Sequence, residues 1–181
     1  MDEQTLILVD QNNNFLGYAL RKECHTGKGR KHRAFVTLLF DSNNNVILQR
    51  RKHELFDNTW DLTAISHPLH IDGRDEDFQM ASNRALAKEM GISNVPIKKI
   101  GGFNYFAKDG EGDCENEYCA VLIGKYDGPI NPNSNEGYET KKINYQQFLS
   151  EVKNNPETYT PWATQAVKLL KKNLLTLELK S

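Results

Sequence analysis

Apolar runs alternate with Asn-rich patches in the first third of the chain, and that pattern predicts paired strands. Residues 5–10 and 15–21 flank Asn12, Asn13 and Asn14 and read as a hairpin, and residues 34–40 and 46–49 flank Asn43, Asn44 and Asn45 and read as a second. Asn suits such turns because its short amide tolerates left-handed backbone and bonds nearby backbone groups. Residues 60–65 and 99–106 are further strand candidates, and residues 115–126 a longer one. The period changes over residues 75–90, where Phe78, Ala81 and Ala85 fall on one helical face and Gly91 supplies a stop. A second helix begins near Tyr145. A third takes Thr160 as N-cap and Pro161 as its first residue, and runs to about Leu175. Strands, a central helix, more strands and then helices predict an α+β fold with helices packed on a mixed sheet. No repeat or linker interrupts it, so residues 1–181 read as one domain, with a core over about 5–126 and C-terminal helices over about 145–176.

Composition narrows the partners. A length of 181 residues, 38% hydrophobic and 26% charged, suits one domain able to bury its own core. A formal net charge of −1 gives no global field for nucleic acid or an anionic membrane surface. No apolar run approaches the roughly 18 residues of a membrane-spanning helix. Residues 1–5 are acidic and polar, unlike a leader peptide, and the closing Leu-Lys-Ser matches no targeting tag. Three cysteines, Cys24, Cys114 and Cys119, are too few and odd in number for a disulfide framework and fit a reducing cytoplasm. The oligomeric state is not legible.

The candidate chemistry lies in histidines and glutamates. His25 and His32 sit seven residues apart, in a stretch that one loop or strand entry could carry, and His67 closes a strand candidate. Glu115 and Glu117 open another strand, where a period of two puts both carboxylates on one face. Like charges so placed repel, and a bound divalent cation would remove the cost. Three imidazoles and two carboxylates suit Mn²⁺, Mg²⁺ or Zn²⁺; spacing alone equally allows ordinary surface or turn residues. His53 and His70 fall outside the group. Glu89 continues the apolar stripe of the central helix, so it either ends that stripe at the surface or binds a cation. Arg84 and Lys88 read as a solvated face.

Taken together, these residues resemble the Nudix superfamily and, within it, type 1 isopentenyl-diphosphate isomerases, over nearly the whole chain. The landmarks are Cys24-His25, His32-Arg33-Ala34-Phe35, Leu48-Gln49-Arg50-Arg51, Ser66-His67-Pro68, Glu89-Met90-Gly91-Ile92, Glu115-Asn116-Glu117 and Pro161-Trp162. Arg84, Glu89 and Gly91 fit the Nudix box, while Ala85 and Lys88 replace two of its glutamates, as in the isomerase branch. The resemblance implies a Nudix-type α/β/α sandwich. It implies one metal site formed by His25, His32, His67, Glu115 and Glu117, and a Mg²⁺ shared by Glu89 and the diphosphate of a small-molecule substrate. It assigns Glu117 as an acid/base residue beside Tyr105, Trp162 as a ring facing a carbocation-like intermediate, and Arg21 and Arg51 as basic positions for the diphosphate. Read without the resemblance, Trp162 is equally a core anchor of the last helix.

Two departures accompany it. Ile65 stands where the family has a catalytic cysteine, so a proton donor is missing, and Ser66, the next residue, should face the other way on a strand. Ala85 stands where an arginine is expected, and residues 52–59 look shortened where a lysine usually lies. The expected activity is therefore isomerisation of isopentenyl diphosphate with a different second acid. The alternative is hydrolysis of an allylic or nucleoside diphosphate, and a metal-stabilised binding protein is a third class.

Overall fold

A computed structural model describes residues 4–178, with the side chains of residues 174–178 left aside. Residues 1–3 and 179–181, on which the expectations about leader and tail largely rest, lie outside the described residues. Strands β1 (Thr5–Val9) and β2 (Phe15–Leu20) form the first expected hairpin. A short helix α1 (Arg21–His25) follows, where a continuing strand or loop was expected.

The central strand is β3 (His32–Phe40). It runs parallel to β10 (Asp113–Lys125), which pairs antiparallel with β9 (Ile97–Asp109), so the sheet is mixed. Alternation along β3 explains why helices cover both faces. Ala34, Val36, Leu38 and Phe40 join the core beneath α3 (Tyr145–Asn154) and α4 (Pro161–Glu178), while Phe35 and Leu39 join the core beneath α2 (Phe78–Met90). A strand buried on both sides reads as a continuous apolar run.

The second expected hairpin pairs only at its tip, Phe40 with Val46. Beyond that point β4 (Asn45–Arg51) diverges to pair with β11 (Gly137–Asn144) and β5 (Trp60–Asp61), while β6 (Ala64–Ser66) pairs with β3. The strand expected over residues 60–65 is thus two pieces. Between them Thr63 bridges the parted strands with its side chain, its hydroxyl donating to the Ile47 carbonyl at 2.6 Å and accepting from the Leu39 amide at 2.9 Å.

Helix α2 begins at Phe78 rather than near residue 75. Asp77 caps it by accepting from the Met80 amide at 2.7 Å, and Arg74–Asp75 is strand β8, paired with β7 (His70–Ile71). Gly91 ends α2 at φ 65°, and a Cβ there would lie 2.9 Å from the Asn131 carbonyl oxygen. Helix α4 starts as expected, with the Thr160 hydroxyl accepting from the Ala163 amide. Among the described residues no helix is long and apolar enough to cross a membrane.

Candidate metal centre and its cavity

Strand register builds the heart of the site. Glu117 on β10 lies opposite His32 on β3 and opposite Tyr105 on β9. Residues in register across neighbouring strands share a face, so these three side chains stand side by side, on the face that α4 covers. Glu115, two residues earlier, shares that face. Helix α1 brings in His25, and the end of β6 brings in His67.

These five side chains are all buried, and their donor atoms lie within 4.8 Å of one another. The three rings form a triangle with centroids 4.7, 5.1 and 4.9 Å apart. His25 Nδ1 donates to the Arg21 carbonyl at 2.8 Å and His32 Nδ1 to the Arg30 carbonyl at 2.8 Å. Those bonds leave each Nε2 lone pair turned inward, the arrangement that orients metal-binding imidazoles. His25 Nε2 and Glu115 Oε2 approach to 3.1 Å, yet neither buried atom has a hydrogen-bond partner, and neither has His32 Nε2. Orphaned buried donor atoms converging on one point are costly, and the donor set is one a divalent cation satisfies. The five residues therefore could hold a metal ion.

Glu117 divides its two oxygens. Oε1 faces His67 Nε2 at 3.0 Å and His32 Nε2 at 3.3 Å, while Oε2 accepts from the Tyr105 hydroxyl at 2.5 Å. Burial alone would raise its pKa, but the neighbouring His32 and the Tyr105 hydroxyl that donates to it hold the carboxyl below its ordinary range. Burial, with His32 and His25 close by, holds the His67 imidazole well below its usual value and keeps it neutral. Burial, then Glu117, pushes the Tyr105 phenol far up, so it remains a donor.

Beside the cluster opens a cavity of about 410 Å³. His67, Glu115, Glu117, Tyr105, Trp162, Arg21, Arg51 and Glu89 all line it, so the expected site residues other than His25 and His32 share one cavity. Glu89 neither ends its stripe in free solvent nor stands alone. Its carboxylate accepts from Gln49 Nε2 at 2.5 Å, and burial pushes its pKa up to about 8, opposed by the Gln49 bond.

Arg51 is less free than expected. It is buried, its Nη1 lies 3.3 Å from Asp61 Oδ2, its Nη2 donates to the Leu55 carbonyl at 3.2 Å, and its guanidinium sits 5.0 Å from the Trp162 ring centre. Trp162 is both core anchor and cavity wall. It is 1% exposed, and its Nε1 donates to both oxygens of Asp61 at 2.9 and 2.8 Å.

Arg84 and Lys88, expected on a solvated face, both line the cavity. Arg84 donates to Glu76 through two nitrogens at 2.8 Å and to the His67 carbonyl at 2.8 Å, so it braces the loop that presents a cluster ligand. Lys88 pairs with Glu136 at 2.8 Å. Asp61, Glu76 and His53 carry no sequence signal that marks them, and Gln49 only its place in the Leu48-Gln49-Arg50-Arg51 landmark; the partners they meet in space mark them. Ile65 lines the cavity and packs against the Trp162 core, and Ser66 lines the cavity as well despite its adjacent position. Cys24, Cys114 and Cys119 are buried and none lines the cavity.

The fold and this site together define a Nudix-fold protein. Similar solved structures include a protein of Deinococcus radiodurans (TM-score 0.69, 15% identity, 91% of this chain and 98% of that one) and the NUDIX domain of Shewanella oneidensis NrtR complexed with ADP ribose (TM-score 0.57, 14% identity, 78% and 86%). No family model matches the chain. The chain belongs to the isopentenyl-diphosphate isomerase family. It is 33% identical to the isopentenyl-diphosphate Delta-isomerase 2 of Aromatoleum aromaticum over 88% of this chain and 82% of that protein. It is 34% identical to that of Photorhabdus laumondii over 90% and 89%.

Proposed function

We propose that the chain is a metal-dependent isomerase that interconverts isopentenyl and dimethylallyl diphosphate. The observation that carries this reading is the divided Glu117, with one oxygen in the metal cluster and the other on Tyr105, at the wall of a cavity closed by Trp162. Isomerisation adds a proton at the terminal methylene of the substrate and removes one from the methylene on the far side of the branched carbon. Glu117 Oε2 accepts or returns the proton at one of these carbons, with the Tyr105 hydroxyl holding that oxygen in place. Trp162, locked by Asp61, presents its ring to positive charge developing at the branched carbon. His25, His32, His67, Glu115 and Glu117 would hold a Mn²⁺, Mg²⁺ or Zn²⁺, which would favour the ionised form of the two carboxylates, and Glu89 would help hold a Mg²⁺ that would offset the negative charge of the substrate diphosphate. Arg21 and Arg51 place the diphosphate end.

The second proton cannot pass through a side chain at Ile65, and no thiol reaches the cavity. It passes instead through an oxygen, the Ser66 hydroxyl or a water. That same observation favours a second reading, in which the chain hydrolyses a diphosphate ester. Incubation with isopentenyl diphosphate and Mg²⁺ in deuterated water separates the two. Deuterated dimethylallyl diphosphate is the expected product, and release of phosphate or diphosphate without exchange would establish the hydrolase instead. An Ile65→Cys variant is expected to exchange faster, at least tenfold if the missing acid limits the rate.

A further inference from the structure

His53 lines the same cavity, outside the metal cluster, and both of its ring nitrogens meet N–H groups. The Leu55 amide donates to His53 Nδ1 at 3.2 Å, while Arg21 Nη2 lies 3.4 Å from His53 Nε2. A neutral imidazole has one lone pair and one N–H, so it cannot accept from both. The Leu55 amide is fixed by a loop that is itself tied, His53 N–H donating to Asp57 at 3.1 Å and Arg51 N–H to the Thr59 carbonyl at 2.9 Å. Nδ1 is therefore the acceptor and Nε2 carries the hydrogen. That leaves an N–H of His53 and an N–H of Arg21 facing the same point, donor against donor. Protonating the ring does not relieve this, because Nε2 keeps its hydrogen; burial and then the charges of Arg51 and Arg21 also hold the imidazole neutral, at a pKa of about 4.

We infer that His53 Nε2–H and Arg21 form a two-pronged anion clamp for one phosphate of a diphosphate. A single anionic oxygen accepts from both prongs and turns the repulsive contact into two charge-assisted bonds. The clamp compensates on the loop side for the lysine that residues 52–59 lack, and for Arg51, which is already committed to Asp61. Its class of ligand rests on the diphosphate reading above, but its test does not rest on turnover.

The test is calorimetric titration of the full chain with inorganic pyrophosphate and Mg²⁺, using wild type, His53→Gln and His53→Phe. Both substitutions remove the acceptor for the Leu55 amide, so loop disturbance affects them alike; only Gln can return an N–H to the Nε2 position. His53→Phe is expected to bind about tenfold or more weakly, the value of a hydrogen bond to a charged group, with His53→Gln recovering most of the loss. Nitrogen NMR of the wild-type ring should find the hydrogen on Nε2. Equal binding by the three proteins, equal losses in both variants, or a hydrogen on Nδ1 would overturn the clamp while leaving the isomerase reading intact. No binding by wild type overturns the clamp and the diphosphate reading together. The expected pattern without any allylic product keeps the clamp and removes only the isomerase.

Discussion

At the scale of single residues, Asp61 shows how a site is held from behind. It has no exposure, yet it accepts both contacts of the Trp162 indole and faces the Arg51 guanidinium. Burial raises its pKa to about 6, with Arg51 opposing. Because the folded value lies above the ordinary 3.8, the folded protein binds more protons than the unfolded chain between those two values. The contribution of Asp61 to stability is therefore full below pH 3.8 and declines as pH rises through about 6. Asp61→Asn, which keeps an acceptor for the indole, removes that decline. Urea unfolding should find the variant more stable than wild type at pH 7 by about 3 kcal/mol, and no different near pH 4. Turnover should fall in the same variant, because Arg51 loses its charged partner and the indole keeps one acceptor oxygen of two; this exchange of stability for placement is common at functional sites. The Glu115-Asn116-Glu117 pattern was legible from a period of two alone, since both carboxylates do reach one cluster. Asp61 was not, because a lone Asp after Trp60 looks like any turn residue until Trp162, 101 positions away, closes on it.

At the scale of elements, the segment between His25 and His32 decides whether the cluster exists. Gly29 makes its turn at φ 57°, and a Cβ there would lie 2.5 Å from the Cys24 carbonyl oxygen and 2.7 Å from Cys114 Sγ. Neither neighbour is the free end of a flexible side chain, so α1 would have to move away from β10. Gly29→Ala should cost about 2–3 kcal/mol by overpacking and left-handed strain and weaken Mn²⁺ binding at least tenfold. Gly110, at φ 60° with nothing near its Cβ, is the control; Gly110→Ala should cost about 1 kcal/mol with metal binding unchanged. The long elements were readable, because sustained apolar alternation or a capped helical stripe leaves a clear period. Helix α1, with one turn, and the two-residue strands β7 and β8 are too short to have one. Strand β11 has mostly polar or half-exposed residues and is held as an edge by pairing with β4, which local sequence does not report. The strand at residues 60–65 breaks because Asp61 and Thr63 turn their side chains into bonds that a continuous ladder would have made with backbone.

For the whole molecule, five candidate ligand residues drawn from α1, β3, the end of β6 and β10 meet at one buried point, so binding of a metal there would be linked to stability. A saturating ion should stabilise the fold by about 2.7 kcal/mol at 100 times its dissociation constant, or roughly 5–10 °C in a chain of this size. Thermal melts with and without Mn²⁺ or Zn²⁺ measure it; EDTA should reverse the gain and His67→Ala should abolish it, whereas no response to any of the ions would leave the cluster a hydrogen-bonded core. By itself the sequence determined the layered α+β architecture, the face shared by Glu115 and Glu117, and the absence of a thiol at position 65, because these depend on periods and identities local to a strand or helix. Tertiary structure alone decided that three distant histidines close a triangle on those carboxylates, that Arg51 serves Asp61 first, and that His53 and Arg21 face each other across a cavity. Such contacts depend on strand register and on how α1 and the loop after Arg51 are folded back, and neither is written in any short stretch of the chain.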